Sequence, residues 1–289
     1  MEIIERVLGP DGVSTKYLQR TEDGFVVEAT YIRKPTKHTL CVSTQVGCPL
    51  RCTFCASGLR MDEERFQRSL SSDEMVEECC KISQEMDFAA IPGPVTFAFM
   101  GEGEPFLNFQ NVVEAFGTLA AMNWQVPMKL SVSTSGIKPY LIRELGRIEF
   151  TVPLKLQVSL HGPNDEVRHR VVPATRPIAK IVAATKDYRE LCGRPVVWNY
   201  VLCDGVNDRP EHARELIRLL GPGWTVKFTR LNPTIGSPFA PSPRERMDVF
   251  RAILENGGLL TKYSETDESH IQAGCGQLSY HFMHKAGSR

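Results

Sequence analysis

Several features are missing from this sequence of 289 residues. No apolar run reaches the roughly 18 residues a transmembrane helix needs, which argues against a helical membrane span. The opening MEIIERVLGPDG lacks the basic-then-apolar layout of a secretory signal, so the chain is expected in the cytoplasm. Net charge is also missing, because 34 Lys and Arg balance 34 Asp and Glu. Proteins that live on nucleic acid usually carry a basic excess, since phosphate contacts dominate their affinity. Neutrality leaves room for a local basic face but lowers the expectation of a tight hold on a large RNA. There are no repeats, low-complexity tracts or obvious linkers, and 42% of the residues are apolar. That composition suits one large domain, or one with a small appendage. Nine cysteines, at 41, 48, 52, 55, 79, 80, 192, 203 and 275, make an odd count. In a chain without a secretory signal they point to metal or thiol chemistry rather than a disulfide framework.

The chain does contain a regular alternation. Residues 1–36 read as a small N-terminal β extension in which GFVVEATYI alternates like a half-buried strand. From residue 37 onward short apolar strands are expected near 39–44, 94–100, 129–134, 154–160, 196–202, 224–230 and 258–264. Helical patterns fall between them, near 72–87, 109–122, 138–146, 178–191, 209–220 and 243–255. Ser72, followed by Asp73 and Glu74, suggests a capped helix start. Strand–helix alternation predicts an α/β fold with a parallel sheet and helical crossovers. About six such units suit a full or partial barrel, with chemistry gathered where strands end.

Gly47-Cys48-Pro49-Leu50-Arg51-Cys52-Thr53-Phe54-Cys55 is a C-x3-C-x2-C loop directly after the first core strand. Three thiolates on so short a loop can each bind one iron of a cubane cluster. The fourth iron keeps an open position, as catalytic metal sites generally do. The amine and carboxylate of S-adenosylmethionine (SAM) could fill it, with Phe54 against the adenine. A structural zinc site is the competing reading. Zinc wants four closed ligands, usually two pairs, and no second C-x2-C or H-x3-H partner exists in the sequence.

CVSTQVGCPLRCTFCASG resembles the cluster loop of the radical SAM RNA adenine methyltransferases, the RlmN/Cfr type. Further similar stretches are MGEGEPFLN, STSG, VSLHGPNDEVR, VVP, YVLCDGVND, LNP and AGCGQL, spread from about residue 25 to about 280. The resemblance implies a partial (β/α)6-type radical SAM barrel over 37–289, one [4Fe-4S] cluster on Cys48, Cys52 and Cys55, and two SAM molecules per turnover. It implies a flavodoxin- or ferredoxin-type electron donor and an adenine substrate in ribosomal or transfer RNA.

The resemblance also assigns roles residue by residue. Cys275, on a C-terminal loop, matches the cysteine that one SAM methylates; the radical from a second SAM takes hydrogen from that methyl. Cys41 matches the thiol that attacks Cys275 to release product and leave a transient disulfide. Glu28 matches the proton acceptor, although in an alternating strand a carboxylate is commonly just the solvent-facing partner. Gly103 and Glu104 match the pair that holds the methionine end of SAM, a carboxylate facing an ammonium. Ser133, Ser159, Leu160, His161 and Asn232 match further SAM contacts; singly, each would more often be a turn or satisfied core residue. Gly101-Glu102-Gly103-Glu104 lacks the third glycine of a dinucleotide fingerprint, which excludes a Rossmann reading. Cys79, Cys80, Cys192 and Cys203 are expected to pack. Arg33 to His38 is a basic stretch that could touch phosphate or simply face solvent.

Two departures from the family pattern concern substrate handling. The helical domain that family members carry ahead of the position of Glu28 is expected to be missing, since 27 residues precede it. Glu265-Thr266-Asp267-Glu268 stands where the family has an Arg-Gly-Asp-Asp-like stretch. The sequence therefore leaves three readings open: RNA methylation, the same chemistry on a small molecule or free nucleotide, and an iron–sulfur binding module that has lost catalysis.

Overall fold

The structure, a computed structural model, describes residues 1–264 apart from 10, 11, 91 and 175. Its frame is one ten-stranded sheet in the order β1-β2-β3-β4-β7-β8-β9-β10-β11-β12. The strands are β1 Glu2–Leu8, β2 Ser14–Arg20, β3 Val26–Lys34, β4 Lys37–Val42, β7 Val95–Phe99, β8 Met128–Thr134, β9 Leu154–Ser159, β10 Val196–Leu202, β11 Thr225–Arg230 and β12 Leu260–Ser264. A separate pair joins β5 Gln45–Gly47 to β6 Phe66–Ser69. The helices are α1 Ala56–Leu59, α2 Asp62–Arg65, α3 Ser72–Ser83, α4 Phe109–Ala121, α5 Pro139–Arg147, α6 Asp165–Val171, α7 Ile178–Cys192, α8 Pro210–Leu220 and α9 Arg244–Asn256.

From β4 to β12 every neighbouring pair in the sheet is parallel. Parallel pairing needs a crossover between successive strands, and α3, α4, α5, α7, α8 and α9 supply six. β1 and β12 are the two edges, so the sheet curls without closing. This is the partial (β/α)6 barrel that the alternation predicts. The N-terminal strands β1 to β3 pair antiparallel and continue the same sheet through β3 and β4. Among the described residues no helix is long and apolar enough to cross a membrane.

Side chains alternate between the faces of a strand. On the parallel strands one set, Leu40, Phe97, Leu130, Leu156, Trp198 and Val226, is buried in the main core beneath the helices. Burying each such side chain is worth about 1.5–3 kcal/mol. The opposite face is polar and small, with Cys41, Ser131, Ser133, Gln157, Ser159 and Asn199. These side chains bond across strands: Gln157 Nε2 donates to Ser131 Oγ (2.9 Å), and Asn199 Nδ2 to Ser133 Oγ (3.4 Å). The barrel interior is thus a polar-lined space, and the apolar core lies outside it.

The cap of α3 differs from expectation by one residue. Ser71, not Ser72, is the N-cap: its Oγ accepts from Glu74 N (3.1 Å), while Glu74 Oε2 accepts from Ser71 N (2.8 Å).

Candidate active site

The cysteine loop leaves β5 at Gly47, whose φ of 76° and position against Arg65 O leave no room for a side chain. Cys55 is the N-cap of α1, and Cys55 N donates to Cys52 O (3.1 Å). The outer side of the loop is pinned down. Thr53 Oγ1 donates to Arg170 O (2.8 Å) at the end of α6, and Ser237 Oγ donates to Thr53 O (2.9 Å). Cys52 and Phe54 pack on a second small core that includes Val171, Val201 and Leu231.

The three thiols share one environment. Burial is the main cause that raises each above the ordinary thiol range. For Cys48 the negative charge of Cys52 and Cys55 adds to it, and for Cys52 that of Cys55. Thiols close enough for their charges to be felt face a common space, and a polycationic group placed there would relieve both the burial and the repulsion. Among the described residues no group of three His, Cys, Asp or Glu side chains is arranged to hold a single metal ion. A cubane cluster makes a different demand, because each thiolate binds its own iron. The donor set of Cys48, Cys52 and Cys55 fits such a cluster.

A buried charge network backs this loop. Arg60 of the segment after α1 is ion-paired with Glu102, and Ser57 Oγ donates to the same Glu102 Oε1 (3.2 Å). Burial pushes the Glu102 carboxyl up to about 7, against the pull of Arg60. Its Oε2 is buried with no hydrogen-bond partner among the described residues, as are Ser135 Oγ and Asn199 Oδ1. Unpaired buried polar atoms are costly in isolation. Gly103 has φ 104°, and a Cβ there would lie 2.7 Å from Gln45 Cβ. Glu104 caps the turn after β7 and accepts three bonds, from Thr134 Oγ1 (2.6 Å), Ser135 N (2.8 Å) and Phe106 N (3.1 Å). Burial raises its carboxyl, and those bonds pull it back.

The expected SAM contacts lie at successive strand ends. Ser133 Oγ and Ser159 Oγ stand 3.4 Å apart at the ends of β8 and β9. Leu160 and His161 follow directly, both buried. His161 holds φ 54°, a left-handed conformation uncommon outside glycine. Its Nδ1 accepts from Val201 N (3.1 Å), and its ring meets Phe54 edge-on with centroids 5.0 Å apart. Burial lowers its pKa to about 3, so the ring is neutral, and the acceptor role of Nδ1 puts the proton on Nε2. Asn232 lies half-buried in the loop after β11, and Thr234 of that loop donates to Phe54 O (3.4 Å).

Glu28 and Cys41 share one face of the sheet. Thr30 pairs with Cys41 across β3 and β4, and Glu28 is two residues further along β3. Glu28 is buried and ion-paired with Lys16 of β2 at 2.9 Å, and its carbonyl accepts from Ser43 Oγ (2.7 Å). Its charge also reaches Glu102. Cys41 is half-buried, and none of the eight cysteines among the described residues is in a disulfide with another of them. The expected disulfide therefore finds no support among the described residues. Cys275, its expected partner, lies outside the described residues, as does Glu265-Thr266-Asp267-Glu268. Cys79 and Cys203 are buried packing residues, Cys80 Sγ lies 4.0 Å from Met122 Sδ, and Cys192 Sγ donates to Tyr188 O (3.1 Å).

Sequence reasoning missed Arg168. This fully buried residue of α6 donates to Ser159 O (2.6 Å) and also to the carbonyls of Leu160 and Ser135. It therefore ties the ends of β8 and β9 together. Burial lowers its pKa to about 10, and Cys52 and Glu104 are the leading charges opposing that shift. It is a resident cation beside the cysteine loop. The sequence offered one signal, its place at the end of VSLHGPNDEVR. Asn207 was also missed: its Nδ2 donates to His161 O (2.9 Å) and Val201 O (2.7 Å), clasping β9 to β10.

Comparison with known proteins agrees with this geometry. The pattern of the Radical SAM superfamily matches residues 42–220. The dual-specificity RNA methyltransferase RlmN of Halorhodospira halophila is 38% identical over 91% of this chain and 72% of its own length. A probable dual-specificity RNA methyltransferase RlmN of Symbiobacterium thermophilum is 37% identical over 92% of this chain and 71% of its own. The crystal structure of a radical SAM methyltransferase from Sphaerobacter thermophilus superposes with a TM-score of 0.86 at 35% identity, covering 95% of this chain and 80% of that one. The barrel and its cysteine loop define a radical SAM enzyme. Within that class the chain belongs to the RlmN-type methyltransferase family, whose chemistry rests on a [4Fe-4S] cluster and SAM.

Proposed function

We propose that this chain methylates an sp2 carbon of adenine in ribosomal or transfer RNA, with Cys275 as methyl carrier. The observation that carries the reading is the shared face of Glu28 and Cys41 beside the cysteine loop, since the route needs both a base and a second thiol. The relatives named as RNA methyltransferases support RNA over a small molecule. A retained base, thiol and cysteine loop argue against an inactive binding module.

Cys48, Cys52 and Cys55 would hold the cluster, and Gly103, Glu104, Ser133, Ser159, Leu160, His161, Asn232 and Phe54 would surround SAM. Bound there, the two supply a carbon radical able to take hydrogen from a methyl group. Two SAM molecules are consumed per turnover, one of them to methylate Cys275. The Cys275 methylene then bonds to the adenine carbon. Glu28, ion-paired with Lys16, accepts the proton from that carbon. The adduct gives up its unpaired electron to the electron-transfer partner. The Cys41 thiolate then attacks Cys275 sulfur, and the carbon–sulfur electron pair goes to the former methylene carbon, which takes a proton to become the methyl group. A disulfide remains for a thiol reductant to open. A flavodoxin- or ferredoxin-type protein would deliver the electrons.

Peptide mass spectrometry of protein purified without oxygen tests this directly. A methyl group on the Cys275 peptide, and a Cys275→Ala variant with normal iron but no RNA methylation, are expected. Methylation persisting in that variant would overturn the route. Cys41→Ala is expected to accumulate a covalent protein–RNA adduct, and clean protein after turnover removes Cys41 from the resolving role.

A further inference from the structure

Five lysines line the polar face of the barrel at the end opposite the cysteine loop. Lys37 opens β4, Lys129 and Lys155 are the second residues of β8 and β9, and Lys227 and Lys262 are the third residues of β11 and β12. Strand alternation puts Lys37 on the face of Cys41, Lys129 on that of Ser133, and Lys155 on that of Gln157. Lys227 pairs in register with Asn199 on one side and with Lys262 on the other. All five therefore point to the interior. Not one Asp or Glu occurs on β4 or on the parallel strands from β7 to β12. Lys37, Lys129, Lys155 and Lys262 make no ion pair with a described residue. Lys34, paired with Lys37 in the β3–β4 hairpin, extends the patch at its rim.

These ammonium groups feel one another. Lys155 is held down to about 8, first by burial and then by the charges of Lys227, Lys37, Lys262 and Lys129. Lys37 is lowered by burial and by Lys34, Lys262 and Lys129. So much convergent positive charge, with no carboxylate on β4 or on β7 to β12, favours an anion in its midst. Lys155 and Lys227 are half-buried inside the curled sheet, where a duplex backbone would not enter. Lysine suits phosphate as a point charge.

We propose that this end of the barrel binds a compact anion carrying several phosphoryl groups, either a nucleoside triphosphate or an inorganic polyphosphate. The lysines share the polar interior with Cys41, Gln157 and Asn199, but the anion site uses none of the residues assigned to methyl transfer and does not rest on that reading. Calorimetric titration of the full-length, cluster-loaded protein with inorganic triphosphate, ATP and sulfate, at matched ionic strength, tests it. Saturable triphosphate binding at least about tenfold tighter than sulfate is expected, and tenfold weaker again in Lys155→Met and Lys227→Met. Lys262→Met changes an exposed side chain, so its expected loss of affinity does not depend on how well the interior tolerates substitution. ATP binding tighter than inorganic triphosphate assigns the site to a nucleotide, and the reverse order to polyphosphate. Binding no tighter than sulfate, or undiminished in all three variants, overturns the proposal. Variants that lose an unphosphorylated oligoribonucleotide while keeping triphosphate assign the lysines to RNA, and also overturn it.

Discussion

Lys16 Nζ lies 2.9 Å from Glu28 Oε1 in a pair whose side chains are 1% and 3% exposed. Each residue is the other's compensation, because a lone charge buried so deeply is strongly destabilising. Lys16→Met leaves the Glu28 carboxylate without its ammonium and is expected to cost about 3–5 kcal/mol in urea unfolding. Adding Glu28→Gln should restore more than half of that loss. Simple additivity of the two changes would show that they are not a coupled unit.

Arg168 supports the site through three carbonyls rather than by touching a reacting atom. A lysine in its place cannot span the ends of β8 and β9 with a planar fork. Arg168→Lys is expected to lower the iron bound per chain and to weaken SAM binding by about tenfold, a cost of ~1.4 kcal/mol. Iron analysis and equilibrium dialysis read the two effects separately. Unchanged values for both would reduce Arg168 to a packing residue.

The neutral ring of His161 makes stability sensitive to acid. Its pKa is about 3 in the folded chain against an ordinary 6.5. The unfolded chain therefore binds the extra proton between those values, and stability falls as pH drops below 6.5. Moving from pH 7 to pH 5 should cost roughly 2 kcal/mol through this group alone, at ~1.36 kcal/mol per pH unit. Urea unfolding of wild type and His161→Gln at both pH values gives the difference. An identical pH dependence in the variant would exclude His161 as the source.

Gly103 sits where the backbone turns with φ 104° against Gln45 and Thr44. Gly103→Ala combines strain of about 1–3 kcal/mol with a contact that must push the β5 segment away. The expected result is a raised KM for SAM with iron content unchanged. A KM equal to wild type would mean that the loop absorbs the added methyl group.

Much of the barrel was legible because its strands are short β-branched runs separated by helical periodicity. Val196–Leu202 matches its expected range, and the major helices end within a few residues of theirs. β1 and β2 were not read as separate strands. β2 buries Lys16 and Gln19, polar residues that resemble a solvated segment until their tertiary surroundings are known. α6 escaped because seven residues give too few turns for a periodic signal. The cysteine loop announced itself through spacing. The Arg60–Glu102 pair and Arg168 did not, since nothing local in a sequence marks a charge as buried.

The β3–β4 hairpin turns on two residues, Pro35 and Thr36, between the paired Lys34 and Lys37. Gly93 abuts Thr36 O so closely that a Cβ would fall 1.9 Å from it, which fixes the turn against its neighbour. Because the faces of a strand alternate strictly, one residue added to that turn could slip the pairing by one and send Glu28 to the helix side of the sheet. Every side chain of the site would survive such an insertion, yet in the proposed route base and thiol would no longer meet the same substrate. Chain length at a tip remote from the cysteine loop therefore decides which face of the sheet Glu28 presents, and with it the proposed chemistry.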